Sequence, residues 1–189
     1  GPCASFETAC SASLVAGHSA ARALQHAECD AHLAAGMNLM LLQASSIGMA
    51  IAGMTSVAGR CHTFDSRADG LVRGEGCSAA VFDHMGRARR LVLRGSAVRQ
   101  DGRSASLTAP NGQAQQGVLM ASAADARLGA DGVGALEALE AHGTGTALGD
   151  PIEAGAVAAV FLARRSTTTL VIGSLKANAG HTEPGAGLA

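Results

Sequence analysis

Apolar and polar positions change rhythm several times along the chain, and each change marks an expected element. Residues 1–9 read as a short strand ending at Thr8-Ala9. Residues 11–27 (SASLVAGHSAARALQHA) are rich in Ala and Leu and free of Pro, which favours a helix. Residues 31–36 have the run of a buried strand. From 33 to 58 the chain carries no Asp, Glu, Lys or Arg, which raises the question of a membrane span. Asn38, Gln43, Ser45, Ser46, Thr55, Ser56 and several glycines interrupt it, so buried layers of an α/β protein account for it better than lipid. Residues 60–76 (RCHTFDSRADGLVRGEG) are polar and punctuated by Gly, hence a loop.

Strands at 77–83 and 91–98 follow, then a loop at 99–112 and a helix at 113–126. In the last third a strand at 136–141 ends on His142, and a Gly-rich turn runs to Gly149. Asp150-Pro151 opens a helix to about residue 163, with Asp as N-cap and Pro at the first helical position. A strand at 169–174 (TLVIGS) leads into the loop KANAGH, and Leu188-Ala189 reads as the start of another helix. Recurring strand–turn–helix units predict an α/β fold with sheets covered by helices.

Composition narrows the classes of function. A chain of 189 residues that is 48% hydrophobic and 15% charged collapses rather than staying solvated. Its length suits one domain or part of a larger one, and both ends read as those of a fragment. Net charge is −1, from 14 basic and 15 acidic residues, which gives no electrostatic footprint for nucleic acid. Four Phe and no Tyr or Trp argue against a base-stacking surface as well. Cys3, Cys10, Cys29, Cys61 and Cys77 contain no C-x-x-C, so neither a disulfide framework nor structural zinc is expected. That usage implies a reducing compartment, expected to be the cytoplasm or else an organelle stroma. No targeting leader is legible.

Four polar groups stand at the ends of apolar strands, where loops of α/β sheets bind ligands. Cys10 follows a strand and begins a helix, a position where the macrodipole and free N–H groups favour a thiolate. The same N–H groups could stabilise an oxyanion, and the small neighbours Ala9, Ser11, Ala12 and Ser13 leave room for substrate. The bland alternative is a buried inert thiol, the reading that Cys3, Cys29, Cys61 and Cys77 take by default. His142 precedes Gly143-Thr144-Gly145-Thr146, a loop whose backbone can approach a ligand and whose hydroxyls line its edge. His18, His26, His32, His62 and His84 lack such a setting. Lys176 is the only lysine, every other basic residue being Arg, and it lies shortly before His181; a compact ammonium is not interchangeable with a guanidinium fork. A competing reading takes Gly143-x-Gly145-x-x-x-Gly149 as a dinucleotide loop, but the acidic residue that fingerprint wants after the next strand is absent.

The motifs TACSASLVA around Cys10, EAHGTGTALGDPIEA around His142 and GSLKANAGH around Lys176 and His181 closely resemble the β-ketoacyl synthases. FDSRADGLVRGEG and RGSAVRQDGRSASLTAPNG are more similar to ketosynthase domains of modular type I polyketide synthases than to stand-alone fatty-acid enzymes. The resemblance covers residues 1–189, which would form a partial ketosynthase domain. It implies an incomplete thiolase-like αβαβα layered fold: the end of the N-terminal half from the nucleophile onward and most of the C-terminal half.

The resemblance also implies a decarboxylative Claisen condensation. The cysteine matching Cys10 takes an acyl chain from an acyl carrier protein, and the histidines matching His142 and His181 promote decarboxylation of a malonyl-type extender. Lys176 would hold charge around His181. Thr144 and Thr146 match positions touching the phosphopantetheine arm, and Asp150 and Glu153 match supporting acidic residues. No metal and no dissociable cofactor is implied, because the arm belongs to the carrier. The implied partners are that carrier, acyl and malonyl-type thioesters, a second copy in a homodimer and other domains of a larger synthase, with no nucleic acid and no membrane span. The alternative is a non-elongating ketosynthase-like domain or a catalytically silent truncated fragment. Departures are FETACSAS for the usual DTACSSS, the looser EPGAG with Pro184 after His181, and a short connection between Asp83 and Leu91. With flanking parts of the family domain absent, the isolated chain is expected to be poorly folded and inactive.

Overall fold

The Ala-rich segment forms α1 (Ala12–Gln25), which buries Ser13, Gly17, Ala20 and Leu24, a single face at three- and four-residue spacing. It ends in a Schellman turn: Glu28 N–H donates to Ala23 O and Ala27 N–H to Leu24 O, both at 2.9 Å, with Ala27 left-handed at φ 56° where Gly is usual. These features come from a computed structural model that describes residues 1–84, 91–106, 109–164 and 169–189. Most of the expected short connection between Asp83 and Leu91 lies outside the described residues.

The chain divides into two compact units. The first comprises Gly1–Gly48, Arg73–Val92 and His181–Ala189. In it β1 (Ala31–Asn38) pairs antiparallel with β2 (Gly76–Asp83), from Ala31 opposite Asp83 to Asn38 opposite Gly76. Helix α1 packs on both strands, and the 3-10 turn Glu183–Gly185 packs on β1. Gly36 makes the close packing possible: a Cβ there would lie 2.5 Å from Pro184 O and 2.8 Å from Ser13 Cβ.

The second unit comprises Met49–Val72 and Leu93–Gly180. Asn111 caps α3 (Gly112–Asp125), its side chain accepting from the N–H groups of Gln113 and Ala114, as a good N-cap residue should. Helix α3 packs against α5 (Gly149–Phe161). Strands β3 (Ala138–Glu140) and β4 (Val171–Gly173) pair in parallel. Val133 from α4 (Ala130–Gly134) joins Val157, Val160 and Phe161 in the core, with Leu119, Leu139 and Ile172 against them. Each such side chain, once fully buried, stabilises the fold by about 1.5–3 kcal/mol.

The α/β class and most elements follow the expectations, with several differences. Residues 1–8 form no strand. Segment 91–98 is not a strand either: Ser96 N–H donates to Asp125 Oδ2 at 2.9 Å, and Gly95 lies so close against the end of α3 that a Cβ there would collide with Ala126 N. β1 is not buried throughout but alternates, with Leu33 and Met37 exposed. Helix α2 (Gln43–Ile51) and the short α4 occupy stretches where none was expected. The KANAGH segment starts with a helical turn, α6 (Lys176–Ala179), rather than an open loop. Among the described residues no helix is long and apolar enough to cross a membrane.

Candidate functional site

In the first unit Cys10 lies in a 3-10 turn, Ala9–Ser11, immediately before α1. The expected strand-then-helix setting is thus replaced by a tight turn, and Ala9 is left-handed at φ 52°. A non-glycine residue there costs about 1–2 kcal/mol, which the surroundings must hold. They do so through the hydroxyl of Ser11, which donates to Thr8 O at 2.9 Å, and through Glu7 Oε1, which accepts from Ala9 N–H at 3.1 Å. Cys10 is half-buried. Its turn packs against the 3-10 turn Glu183–Gly185, and Gly187 N–H donates to Ser13 Oγ at 3.0 Å. The first unit therefore brings the Cys10 turn and the segment following His181 together.

His181 is wholly buried, at 0% exposure. Its Nδ1 accepts from Glu183 N–H at 3.2 Å. An accepting Nδ1 carries no proton, so the neutral ring holds its proton on Nε2. Glu183 is also left-handed, at φ 43°. Strained non-glycine residues cluster where geometry is functional, and two of the five among the described residues adjoin Cys10 and His181.

The second unit holds His142 and Lys176. His142 follows β3, and two carboxylates shape the loop after it. Glu153 takes the N–H of His142 on Oε1 at 2.6 Å and that of Gly143 on Oε2 at 2.8 Å. Asp150, at 3% exposure, accepts from Gly145 and Thr146 N–H on Oδ1 at 3.1 and 3.2 Å, and from Phe64 N–H on Oδ2 at 2.8 Å. Asp150 is therefore not the N-cap: α5 starts one residue earlier, at Gly149, and the carboxylate turns outward to the loops. Gly145 must be glycine, having φ 76° and leaving only 2.6 Å between a Cβ and His62 N.

Thr144 and Thr146 face each other, Oγ1 to Oγ1 3.3 Å, and Thr146 Oγ1 also accepts from Gly149 N–H at 3.2 Å. A cavity of about 290 Å³ is lined by His142, Thr144, Asp150, Glu153 and Gln115. A larger open depression of about 740 Å³ beside Asn111 and Ile152 carries none of the predicted residues except the neighbourhood of Pro151, and its size does not make it the site.

Lys176 is 7% exposed at the start of α6. Ser174 Oγ links the two segments, donating to His142 O at 3.4 Å and accepting from Lys176 N–H at 3.3 Å. His142 is exposed as a residue, yet chain packed around its ring removes enough water to matter. Desolvation first, and then the Lys176 charge, hold its pKa below the ordinary imidazole value, against the opposing pull of Glu153 and Asp150.

Several supporting residues escaped sequence reasoning. Thr63 Oγ1 donates to Gly143 O at 2.6 Å, and Phe64, left-handed at φ 53°, presents its N–H to Asp150. Both lie in the stretch expected to be a loop, Phe64 as the first residue of the FDSRADGLVRGEG motif, but neither was singled out as a site residue. The cysteines also differ from the default: Cys61 is buried, accepting from Val72 N–H at 3.1 Å, whereas Cys3 and Cys77 are exposed and Cys29 intermediate.

Comparison with known proteins supplies the context. The family model described as "Beta-ketoacyl synthase, N-terminal domain" matches residues 1–88, and "Beta-ketoacyl synthase, C-terminal domain" matches residues 91–189. The whole chain is 47% identical, over 195 residues, to a phenolphthiocerol/phthiocerol polyketide synthase polypeptide of Mycobacterium tuberculosis, spanning 9% of that protein. It is 48% identical, over 196 residues, to spectinabilin polyketide synthase system protein NorA' of Streptomyces orinoci, spanning 5% of it. Among solved structures, the module 6 ketosynthase of the bacillaene synthase from Bacillus subtilis 168 superposes with TM-score 0.89 at 37% identity, covering 97% of this chain and 34% of that one. An oxazolomycin ketosynthase domain of Streptomyces albus superposes with TM-score 0.92 at 34% identity, covering 99% of this chain and 33% of that one.

Proposed function

The chain belongs to the β-ketoacyl synthase family, with the thiolase-like α/β fold class of its ketosynthase neighbours, and from that premise we propose that it acts as the ketosynthase of a modular polyketide synthase. The observation that carries this reading is the packing of the strained Cys10 turn against the turn that follows His181, which equips one unit with a nucleophile and a buried imidazole.

The chemistry follows in two stages. The Cys10 thiolate attacks an acyl thioester delivered by a carrier protein, forming an acyl–sulfur bond and releasing the carrier thiolate, which takes up a proton. Splitting the condensation this way is nucleophilic catalysis. A malonyl-type thioester then loses carbon dioxide, and the electron pair of the broken carbon–carbon bond moves into an enolate. Neutral imidazoles donating N–H to the thioester oxygen stabilise that charge. His181 suits the task because Glu183 N–H occupies its Nδ1, and His142 because its lowered pKa keeps it neutral. The enolate carbon attacks the Cys10 thioester, and the tetrahedral adduct collapses by expelling the Cys10 thiolate. The β-ketoacyl product leaves on the carrier.

Lys176 adds to the desolvation that lowers the His142 pKa, Thr144 offers a hydroxyl in the cavity beside His142 to the phosphopantetheine arm, and Asp150 and Glu153 fix the loop. The arm comes with the carrier, so it is substrate rather than a resident cofactor. Carrier protein, homodimer partner and neighbouring synthase domains belong to the same proposal, as does cytoplasmic location.

Peptide-mapped acyl loading tests the reading. Offered a short acyl thioester near neutral pH, a complete ketosynthase domain carrying this chain should gain one acyl group on Cys10, and lose it in Cys10→Ala. Label spread over several cysteines, or none on Cys10, would reject the assignment.

A further inference from the structure

His181 is held from two directions by the same pair of residues. On the main-chain side, Arg73 and His181 form a parallel bridge, and Gly74 N–H donates to His181 O at 2.8 Å. Asn38 steadies that contact, its Nδ2 donating to Gly74 O at 2.7 Å. On the side-chain side, Arg73 Nε donates to Glu183 Oε1 in a close ion pair. The Arg73 guanidinium is spread further: Nη1 donates to Ser45 Oγ at 3.0 Å and Ser46 Oγ at 2.8 Å, at the start of α2. Both partners are largely out of water, Arg73 side chain 10% exposed and Glu183 21%, so the pair is screened far less than a surface ion pair.

Glu183 also donates the N–H that occupies His181 Nδ1, and it does so from a left-handed backbone, φ 43°. Glutamate has no intrinsic reason to adopt that conformation. Its carboxylate, gripped by Arg73, supplies one. We propose that Arg73 and Glu183 are a positioning pair for His181: the ion pair holds the Glu183 backbone so that its N–H fixes the tautomer of the buried imidazole. The inference rests on the reading of His181 as the enolate-stabilising donor. Neither residue touches substrate in this scheme; although the Glu183 turn packs against that of Cys10, the ion pair itself sets the N–H on His181, so losing it should weigh on decarboxylation far more than on acylation.

The test separates the two reactions in a complete ketosynthase domain carrying this chain: acyl transfer to Cys10 from a short acyl thioester, and carbon dioxide release from a malonyl thioester. Glu183→Gln should leave Cys10 acylation within about twofold and lower the kcat of decarboxylation about ten- to a hundredfold with little change in KM, the scale expected when a catalytic group is misplaced. Arg73→Lys should lower decarboxylation likewise, and the two effects should be less than additive in the double variant, because both changes remove the Arg73–Glu183 contact. Should Glu183→Gln precipitate, Glu183→Asp, which keeps the charge and shortens the reach, carries the same comparison. Parallel loss of both reactions would show a merely structural role and overturn the proposal. Decarboxylation lost in His181→Ala but kept in Glu183→Gln rejects the pair alone. Decarboxylation surviving His181→Ala rejects the reading of His181, and the pair's role with it.

Discussion

At Asp150 one buried carboxylate collects three backbone N–H groups from two separate loops. Asparagine in its place would turn an NH₂ toward at least one of those donors, leaving it unmet in the interior. Asp150→Asn is therefore expected to destabilise the fold by about 2 kcal/mol, read as a lower Tm, and to slow decarboxylation by loosening the His142 loop. Lys176→Met tests the electrostatics beside it. Removing the ammonium removes a cause of the low His142 pKa, so the acid limb of the decarboxylation profile should move to higher pH. The same shift has a consequence for stability. Because the folded pKa of His142 is lowered, the unfolded chain binds more protons as pH falls below about 6.5. The stability linked to His142 is thus fully present above that pH and is lost as pH falls through the lowered folded value. Denaturation midpoints measured across that window should show it, and Lys176→Met should narrow the window.

Between elements, contacts are set by what a side chain would displace. Gly36→Ala would drive a Cβ into Pro184 O and Ser13 at once, separating β1 from α1 and from the turn after His181. It should cost about 1–3 kcal/mol and reduce acylation of Cys10 more than a surface change does, as peptide mapping would reveal. Helices α1 and α3 are legible because helix-forming residues fill them. The end of α1 is less so, falling at Gln25 rather than residue 27, since Ala27 stands left-handed where glycine would have signalled the cap. Segment 91–98 carries strand-like apolar residues, but among the described residues no strand pairs with it. Here Asp125 and the end of α3 meet its backbone instead. Cys10, His142, Lys176 and His181 were legible as candidates from their motifs. The left-handed Ala9 and Glu183 were not, because no residue type announces a strained backbone that only its neighbours sustain.

Over the molecule as a whole, apolar side chains remain open to water, Ile51 at 83% and Val57 at 97% exposure among them. Helix α2 buries none of its residues. Exposed apolar surface of this kind promotes association, so the 189-residue chain by itself should elute above monomer mass and bind a hydrophobic dye strongly. Alkylation offers a further check: Cys3 and Cys77 should react before the buried Cys61, with Cys61 protected until the second unit unfolds. The first unit is also assembled from three separate stretches of chain. The bond from Gly187 to Ser13 closes a span of 174 residues. On a ribosome adding roughly 5–20 residues per second, the helix behind Cys10 is made first and then waits about ten to thirty-five seconds for the residues that brace it. The Cys10 turn is thus made without its support and is braced only when the segment bearing His181 has emerged, so that synthesis itself delays its completion.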